Sequence, residues 1–316
     1  VTSGGLVAVH AHPDDETLTT GALLATWAAA GRPVAVVTCT RGERGEVIGA
    51  ELAHLEGDGP ALAEHREREL AGALTALGVR EHGFLDALGG PPARRFEDSG
   101  MAWVGAGRAG RADEVPPGAF VGVDLDEAAE RLARVLRARR PEVVATYEPG
   151  GGYGHPDHVR THEVTQRAVE LAGVRPDEAS PAFAVPVVLW AVQGRSALRR
   201  GLRDLGGGAV LAALGSSRAG LQLPDPEAEL PSVAVPDDQL DLAVDVLPVR
   251  DRVLAALRAH ATQVQAVRAI DHQPGLVACY ALSNRILAPV LAAETYRRVT
   301  GSAEAVVWPA GVRPVA

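Results

Sequence analysis

The chain predicts an α/β fold: a mostly parallel sheet with helices on both faces, followed by a smaller C-terminal α+β region. Three features of its 316 residues carry this reading. Short β-branched apolar runs recur, Ala- and Leu-rich stretches of helical length lie between them, and glycine closes most of those stretches. Consecutive strands separated by helices require crossover connections, which are right-handed and place helices on both faces of the sheet.

Residues 5–10 form the first expected strand, ending at a turn, and residues 17–30 the first helix, closed by Gly31 with Pro33 beyond it. A second strand follows at 34–40, a helix at 64–77 stopped by Gly78, and a short strand at 82–85. Asp126 is the expected N-cap of a helix over 126–139, ahead of a strand at 143–147. Residues 158–172 are helical again, capped by Gly173, and 187–192 make another buried strand. Between 87 and 120 the words LGGPP, GAGRAG and EVPPG leave no room for a regular element. Loops of that length in compact domains tend to be lids or binding loops. From about residue 183 the pattern changes to short strands at 233–235 and 240–246 and a helix near 249–264. The expected division is a catalytic domain over 1–182 and a smaller α+β domain over 183–316 that completes the substrate cleft.

Composition excludes several classes of function. With 31 basic and 40 acidic residues the net charge is −9, so no overall positive field is available for phosphates and nucleic acid is not an expected partner. Every basic residue is arginine; the lack of lysine rules out a Schiff-base lysine and a phosphate-loop lysine. The two cysteines, Cys39 and Cys279, cannot frame a disulfide scaffold or a CxxC site, which favours a reducing cytoplasm. The apolar run at 6–9 is too short for a signal core, and the longest one, 183–192, is broken by Pro186 and too short to span a membrane. No membrane partner is expected.

Two short motifs share one grammar. The first strand runs into His12-Pro13-Asp14-Asp15-Glu16, and the 143–147 strand leads through a Gly-rich loop into His155-Pro156-Asp157-His158. In each, proline takes a first helical position past the carboxyl end of a strand, where sheets of this kind bind ligands. Alone, the first motif also reads as helix capping, since acids favour the positive end of the helix dipole. Together, two histidines and a carboxylate converging at one end of a sheet match a zinc site with N and O ligands and an open position. His12, Asp15 and His158 are the expected ligands. Asp14 is the expected general base beside a zinc-bound water, or else a carboxylate that orients a ligand histidine.

The words VHAHPDDE, VVTCTRGERGEVIG, DSGM and TYEPGGGYGHPDH, with HATQV and LSN further on, resemble the PIG-L/LmbE-like zinc deacetylases over most of the chain. Within that family the flanking words are similar to the actinobacterial branch that deacetylates an N-acetylglucosaminyl inositol in mycothiol biosynthesis. The resemblance implies a Rossmann-like fold, a His-Asp-His metal site onto which His12, Asp15 and His158 map, and Asp14 as base. It also implies that His155 stabilises or protonates the tetrahedral intermediate, that Asp157 orients His155, and that Tyr153 polarises the acetyl carbonyl; a packing lid is the other reading of Tyr153. Around the sugar it places Arg66, Asp98 and Glu46, although Arg66 in HREREL also reads as one of a solvated helix face. The metal it implies is zinc, with iron(II) as the alternative, and the partner a small amino-sugar inositol. Where relatives tend to carry Asp-Pro-Asn this chain has Glu148-Pro149-Gly150, which bears on the loop and not on the ligands.

The nearest rival is a mycothiol S-conjugate amidase, another LmbE-like hydrolase. Such amidases tend to carry a lysine soon after HPDDE, and this chain has none. A non-catalytic sugar- or metal-binding module is the rival from another class, against which Asp14, Tyr153 and His155 argue. The GxGxxG match at 105–110 neither follows a convincing strand nor opens a helix, and no GxSxG elbow exists. Ser99 lacks a local base, Cys39 reads as core, His10 as a packed strand-end residue, and His162 as facing a helix or solvent rather than as a fourth ligand.

Overall fold

The computed structural model describes residues 4–90, 94–105, 108–111, 114–174 and 181–315. Its first half alternates strand and helix as expected: β1 (Leu6–His10), α1 (Asp15–Ala29), β2 (Val34–Thr38), α2 (Gly59–Leu77) and β3 (Glu81–Phe84). A hairpin of β4 (Met101–Gly105) and β5 (Arg108–Arg111) follows, then α3 (Leu125–Arg139), β6 (Val143–Tyr147), a single turn α4 (Gly151–Gly154), α5 (Pro156–Val174) and β7 (Val187–Gly194). The remainder comprises α6 (Arg195–Asp204), α7 (Gly208–Leu214), β8 (Ala234–Val235), β9 (Leu242–Asp245), α8 (Arg250–Ala259), β10 (Gln265–Ala269), β11 (Leu276–Ala281), β12 (Leu287–Leu291), β13 (Ala293–Thr300) and β14 (Val312–Pro314).

Among the described residues the main sheet runs β14-β9-β13-β7-β6-β1-β2-β3, with β8 paired to the end of β7. From β7 to β3 every pairing is parallel; β13, β9 and β14 extend the sheet antiparallel. The division expected at residue 182 falls just before β7, which pairs with β6, so residues 183–316 contribute to this same sheet as well as to a separate one, β10-β11-β12. Strand alternation sorts the core onto two faces. Leu6 and Ala8 of β1 pack with Leu23, Trp27, Leu70 and Leu254 under α1, α2 and α8, whereas Val7 and Val9 pack with Leu132, Leu136, Val164 and Leu171 under α3 and α5.

Several boundaries differ from expectation. Asp58 caps α2 by accepting from the Ala61 amide at 3.1 Å, with Pro60 in the first turn, so the helix begins five residues before the expected Glu64. Asp124, not Asp126, caps α3, accepting from the Glu127 amide at 3.0 Å. The loop at 87–120 is not structureless: it holds the β4–β5 hairpin and sends Phe96 into the core, its ring 5.7 Å from that of Phe120. Of the GxGxxG match, Ala106 and Gly107 lie outside the described residues. The helix expected to reach 264 ends at Ala259, where His260 turns out of helical conformation.

Chain order reverses beside β1: β2 and β3 lie to one side, β6 and β7 to the other. A crevice opens past the carboxyl ends of β1 and β6 at such a point, and the two His-Pro motifs follow those two strands.

Candidate metal centre and active site

The turn after β1 is strained and heavily tied. Asp14 has φ +116°, a region costly for any residue but glycine. Its amide donates to Glu16 Oε2 at 2.9 Å, and its carbonyl accepts from the amides of Thr17 and Leu18, both at 3.0 Å. The Arg66 guanidinium donates to Asp14 Oδ2 at 3.1 Å, to the Gly42 carbonyl at 2.7 Å and to the Pro13 carbonyl. Glu16 in turn accepts from the Thr17 hydroxyl and pairs with His260 Nε2 at 2.8 Å, all of it buried.

The turn after β6 depends on Glu148. Its carboxylate accepts from the amides of Gly150 and Gly152 and from the Ser232 hydroxyl, the last two at 2.8 and 2.7 Å. Gly151 sits at φ +67°, and a Cβ there would stand 2.8 Å from the His158 Cβ, so only glycine fits. The Gly151 carbonyl lies 3.1 Å from His158 Nδ1, which fixes the proton on that nitrogen and leaves the Nε2 lone pair free. Tyr147 accepts from the Ala11 amide at 2.9 Å and stacks on the His158 ring, centroids 4.4 Å apart.

His158 Nε2 is buried without a hydrogen-bond partner among the described residues, 3.3 Å from Asp15 Oδ1. His12 Nδ1 lies 3.2 Å from Asp15 Oδ2, while His12 Nε2 donates to Asp157 Oδ2 at 3.2 Å. Tetrahedral zinc at its usual bond lengths holds neighbouring ligand atoms about 3.3 Å apart. The two spacings about Asp15 match this, and the orphaned His158 Nε2 is a buried lone pair suited to a divalent cation. His155 is close as well: one ring nitrogen each from His12, His155 and His158 lie within 4.8 Å of one another, and so do ligand atoms of His12, Asp98 and Asp157.

His155 Nδ1 accepts from the Asp157 amide at 3.1 Å, which puts its proton on Nε2. Burial, and next the neighbouring His12 and His158, hold its pKa well below 6.5, so it is a neutral donor. The Asp157 carboxylate is on His12 rather than on His155, to which it was expected to attend, and it also accepts from the Ser99 amide at 2.9 Å and the Ser99 hydroxyl. A carboxylate on the remote nitrogen of a ligand histidine is the usual support of such sites. Burial raises the Asp14 carboxyl to about 6 against the opposing pull of Arg66, and burial holds the Tyr153 phenol protonated. The Tyr153 ring centroid is 5.1 Å from that of His158.

Of the expected sugar residues, Asp98 is buried 3.7 Å from His12 Nε2, with its carboxylate on the amides of Arg44 and Gly100. Arg66 is also buried, not part of a solvated helix face. Glu46 stands exposed in the loop after β2, where its carbonyl accepts from Gln263. His162 turns away from the cluster, to the Tyr147 carbonyl at 2.9 Å and the Trp190 ring. Sequence reasoning missed Glu16, His260, Ser99 and Glu148, although HPDDE, HATQV, DSGM and the departure at Glu148 each contained the signal.

The sequence profile of the PIG-L family, described as GlcNAc-PI de-N-acetylase, matches residues 7–169, which include both His-Pro motifs. A 1D-myo-inositol 2-acetamido-2-deoxy-alpha-D-glucopyranoside deacetylase of Kineococcus radiotolerans is 48% identical over 93% of this chain and 77% of its own. The protein of that name from Rhodococcus jostii is 44% identical over 94% and 92%. Among solved structures, a conserved protein of Thermus thermophilus matches 82% of this chain and 79% of its own at 24% identity and a TM-score of 0.47. With the profile spanning the residues that build the site and relatives this similar along nearly the whole chain, the protein belongs to the PIG-L family.

Proposed function

We propose that the protein is a zinc-dependent amide hydrolase that removes acetate from an N-acetylglucosaminyl inositol and leaves the free glucosaminyl inositol, in mycothiol biosynthesis. The convergence of His12 Nδ1, Asp15 and the orphaned His158 Nε2 beside the Asp14 carboxylate carries this reading. The names of the relatives supply the substrate. His12, Asp15 and His158 would hold the ion; two imidazoles and a carboxylate suit zinc and also iron(II). Zinc there would supply Lewis acidity to the amide carbonyl and bring the pKa of water down toward about 7.

The protein's own groups divide the remaining work. Asp14 takes the proton of the attacking water; its strained backbone and the grip of Glu16 and Arg66 keep the carboxylate in one place, which lowers the entropic cost of the step. His155 presents Nε2–H as a neutral hydrogen-bond donor to the developing oxyanion, the Tyr153 phenol acts on the same oxygen, and the proton Asp14 has taken from water passes to the leaving amine. Asp157 fixes His12. Asp98 and Glu46 meet sugar hydroxyls, while Arg66 serves the base first. Two buried free cysteines accord with a reducing cytoplasm, and no helix among the described residues is long and apolar enough to cross a membrane.

The test is to incubate zinc-loaded protein with the N-acetylglucosaminyl inositol and with a mycothiol S-conjugate, side by side, and measure free amine. Faster release from the former supports the proposal. Faster cleavage of the conjugate makes the protein an amidase, and zinc binding with no cleavage of either makes it a binding module.

A further inference from the structure

Two cavities share no lining residue: one reaches the metal centre only by way of Asp98, and the other opens on it directly. One, about 590 Å3, is lined by Glu43, Arg44, Glu56, Arg95 and Glu97. It adjoins Asp98, whose carboxylate accepts from the Arg44 amide. The other, about 350 Å3, begins at Asp15, His158 and Tyr153 and runs between α1, α8 and the β11–β12 sheet, past Leu18, Val253, Leu257, Tyr280, Ala288 and Val290. Away from the metal centre its lining is mainly apolar, with Gln193, Asn284, Thr295 and Glu294 as polar members, and the Glu294 carboxylate is taken up by the amides of Ala22 and Leu23, at 2.9 Å each, and by the Tyr296 hydroxyl. Burial pushes that carboxyl up to about 7.

An amide bound at the metal centre has one polyhydroxylated side and one acyl side. Hydroxyls need the charged cavity; the apolar one suits hydrocarbon. An acetyl methyl would fill little of 350 Å3, a volume in the range of small-molecule sites and about ten water volumes.

We infer that the apolar cavity between α1, α8 and β12 is an acyl pocket, and that the enzyme hydrolyses amino-sugar amides of linear saturated acids longer than acetate. The inference rests on the amide-hydrolase reading above. The chemistry balances as for acetyl: the oxygen of water bonds to the acyl carbon as the C–N bond breaks, the amine takes a proton, and a carboxylate and a free amine leave. Chain burial is shared by ground and transition states, so it acts mainly through KM. Each added methylene is worth up to about fourfold in kcat/KM, from the transfer free energy of one CH2.

The test compares N-acetyl-, N-butanoyl-, N-hexanoyl- and N-octanoyl-glucosamine as substrates of zinc-loaded protein, and titrates metal-free protein calorimetrically with the acetyl and octanoyl compounds. The expected result is a rise in kcat/KM from acetyl to hexanoyl and tighter octanoyl binding with a negative heat-capacity change. Ala288→Phe and Val290→Phe, which narrow the cavity away from the metal ligands, should abolish the chain-length gain while keeping acetyl hydrolysis within a few-fold of the parent. Hydrolysis that falls tenfold or more from acetyl to hexanoyl, or octanoyl binding no tighter than acetyl, overturns the inference. If no amide is cleaved, the hydrolase reading fails and takes the proposed activity with it, while the titration still decides whether the cavity holds an acyl chain.

Discussion

Replacing His260 with alanine removes the cation that faces the Glu16 carboxylate at 2.8 Å, where both side chains are fully buried. Breaking a buried pair from one side costs about 3–5 kcal/mol, because the remaining charge is left without compensation. An unfolding entropy of about 2.1 cal/mol/K per residue gives roughly 0.66 kcal/mol/K for a chain of this length, so the melting temperature should fall by about 5–8 °C. The loss should depend on pH. Burial alone would lower the His260 pKa, but Glu16 outweighs it and raises the pKa above 6.5. That share of the stability is fully present below pH 6.5 and is lost as pH rises through the raised value. Glu16, which burial alone would raise, is instead held below 4.5 by His260; its share is present above pH 4.5 and is lost as pH falls through the lowered value. The deficit of the variant is therefore largest between about pH 4.5 and 6.5. Thermal unfolding of metal-free parent and variant across that range is the assay, with His260→Gln, which keeps a donor, expected to lose less. A deficit under about 1 kcal/mol throughout, or one that grows outside the window, would refute the reasoning.

Asp14→Asn should keep its metal while turnover falls by roughly 10² to 10⁴, the range of general acid–base catalysis; turnover within a few-fold of the parent makes Asp14 a scaffold residue. Asp157→Asn weakens the carboxylate support of His12, so chelator competition should show metal affinity reduced about 10- to 100-fold, and unchanged affinity contradicts the placement of Asp157 on His12. Arg66→Ala should lower activity on plain N-acetylglucosamine as well as on the inositol substrate, since Arg66 touches Asp14; a loss confined to the inositol substrate would put Arg66 in the sugar pocket instead.

What could be read from the sequence follows from which interactions are local. The parallel half of the sheet was legible because β1, β2 and β6 are short β-branched runs with glycine-stopped helices between them, and His12, Asp14, Asp15, His155, Asp157 and His158 sit in two compact words at strand ends. The partners of those words were not legible. His260 reaches Glu16 across 244 residues, and Ser99 reaches Asp157 across 58; no periodicity records such pairings. The hairpin within 87–120 was hidden because its strands are only five and four residues long and lie among glycine- and proline-rich words that read as loop. The extension of the sheet by β9, β13 and β14 was hidden because those pairings are antiparallel and out of chain order. Glu148 stood in plain view as a departure from the family pattern, yet only its contacts with Gly150, Gly152 and Ser232 show what the longer side chain does.

The chemistry depends on which residues hold the metal, and zinc titration of chelator-stripped protein, read as bound metal and as acetate released, tests this most directly. For the parent, acetate release should climb in proportion to zinc and level off at about one equivalent. His155→Ala should still take up that equivalent while losing activity, the result expected of a donor that is not a ligand. His158→Ala, which removes the orphaned Nε2, should retain no stoichiometric zinc. Stoichiometric zinc in His158→Ala, or its loss in His155→Ala alone, would contradict the account.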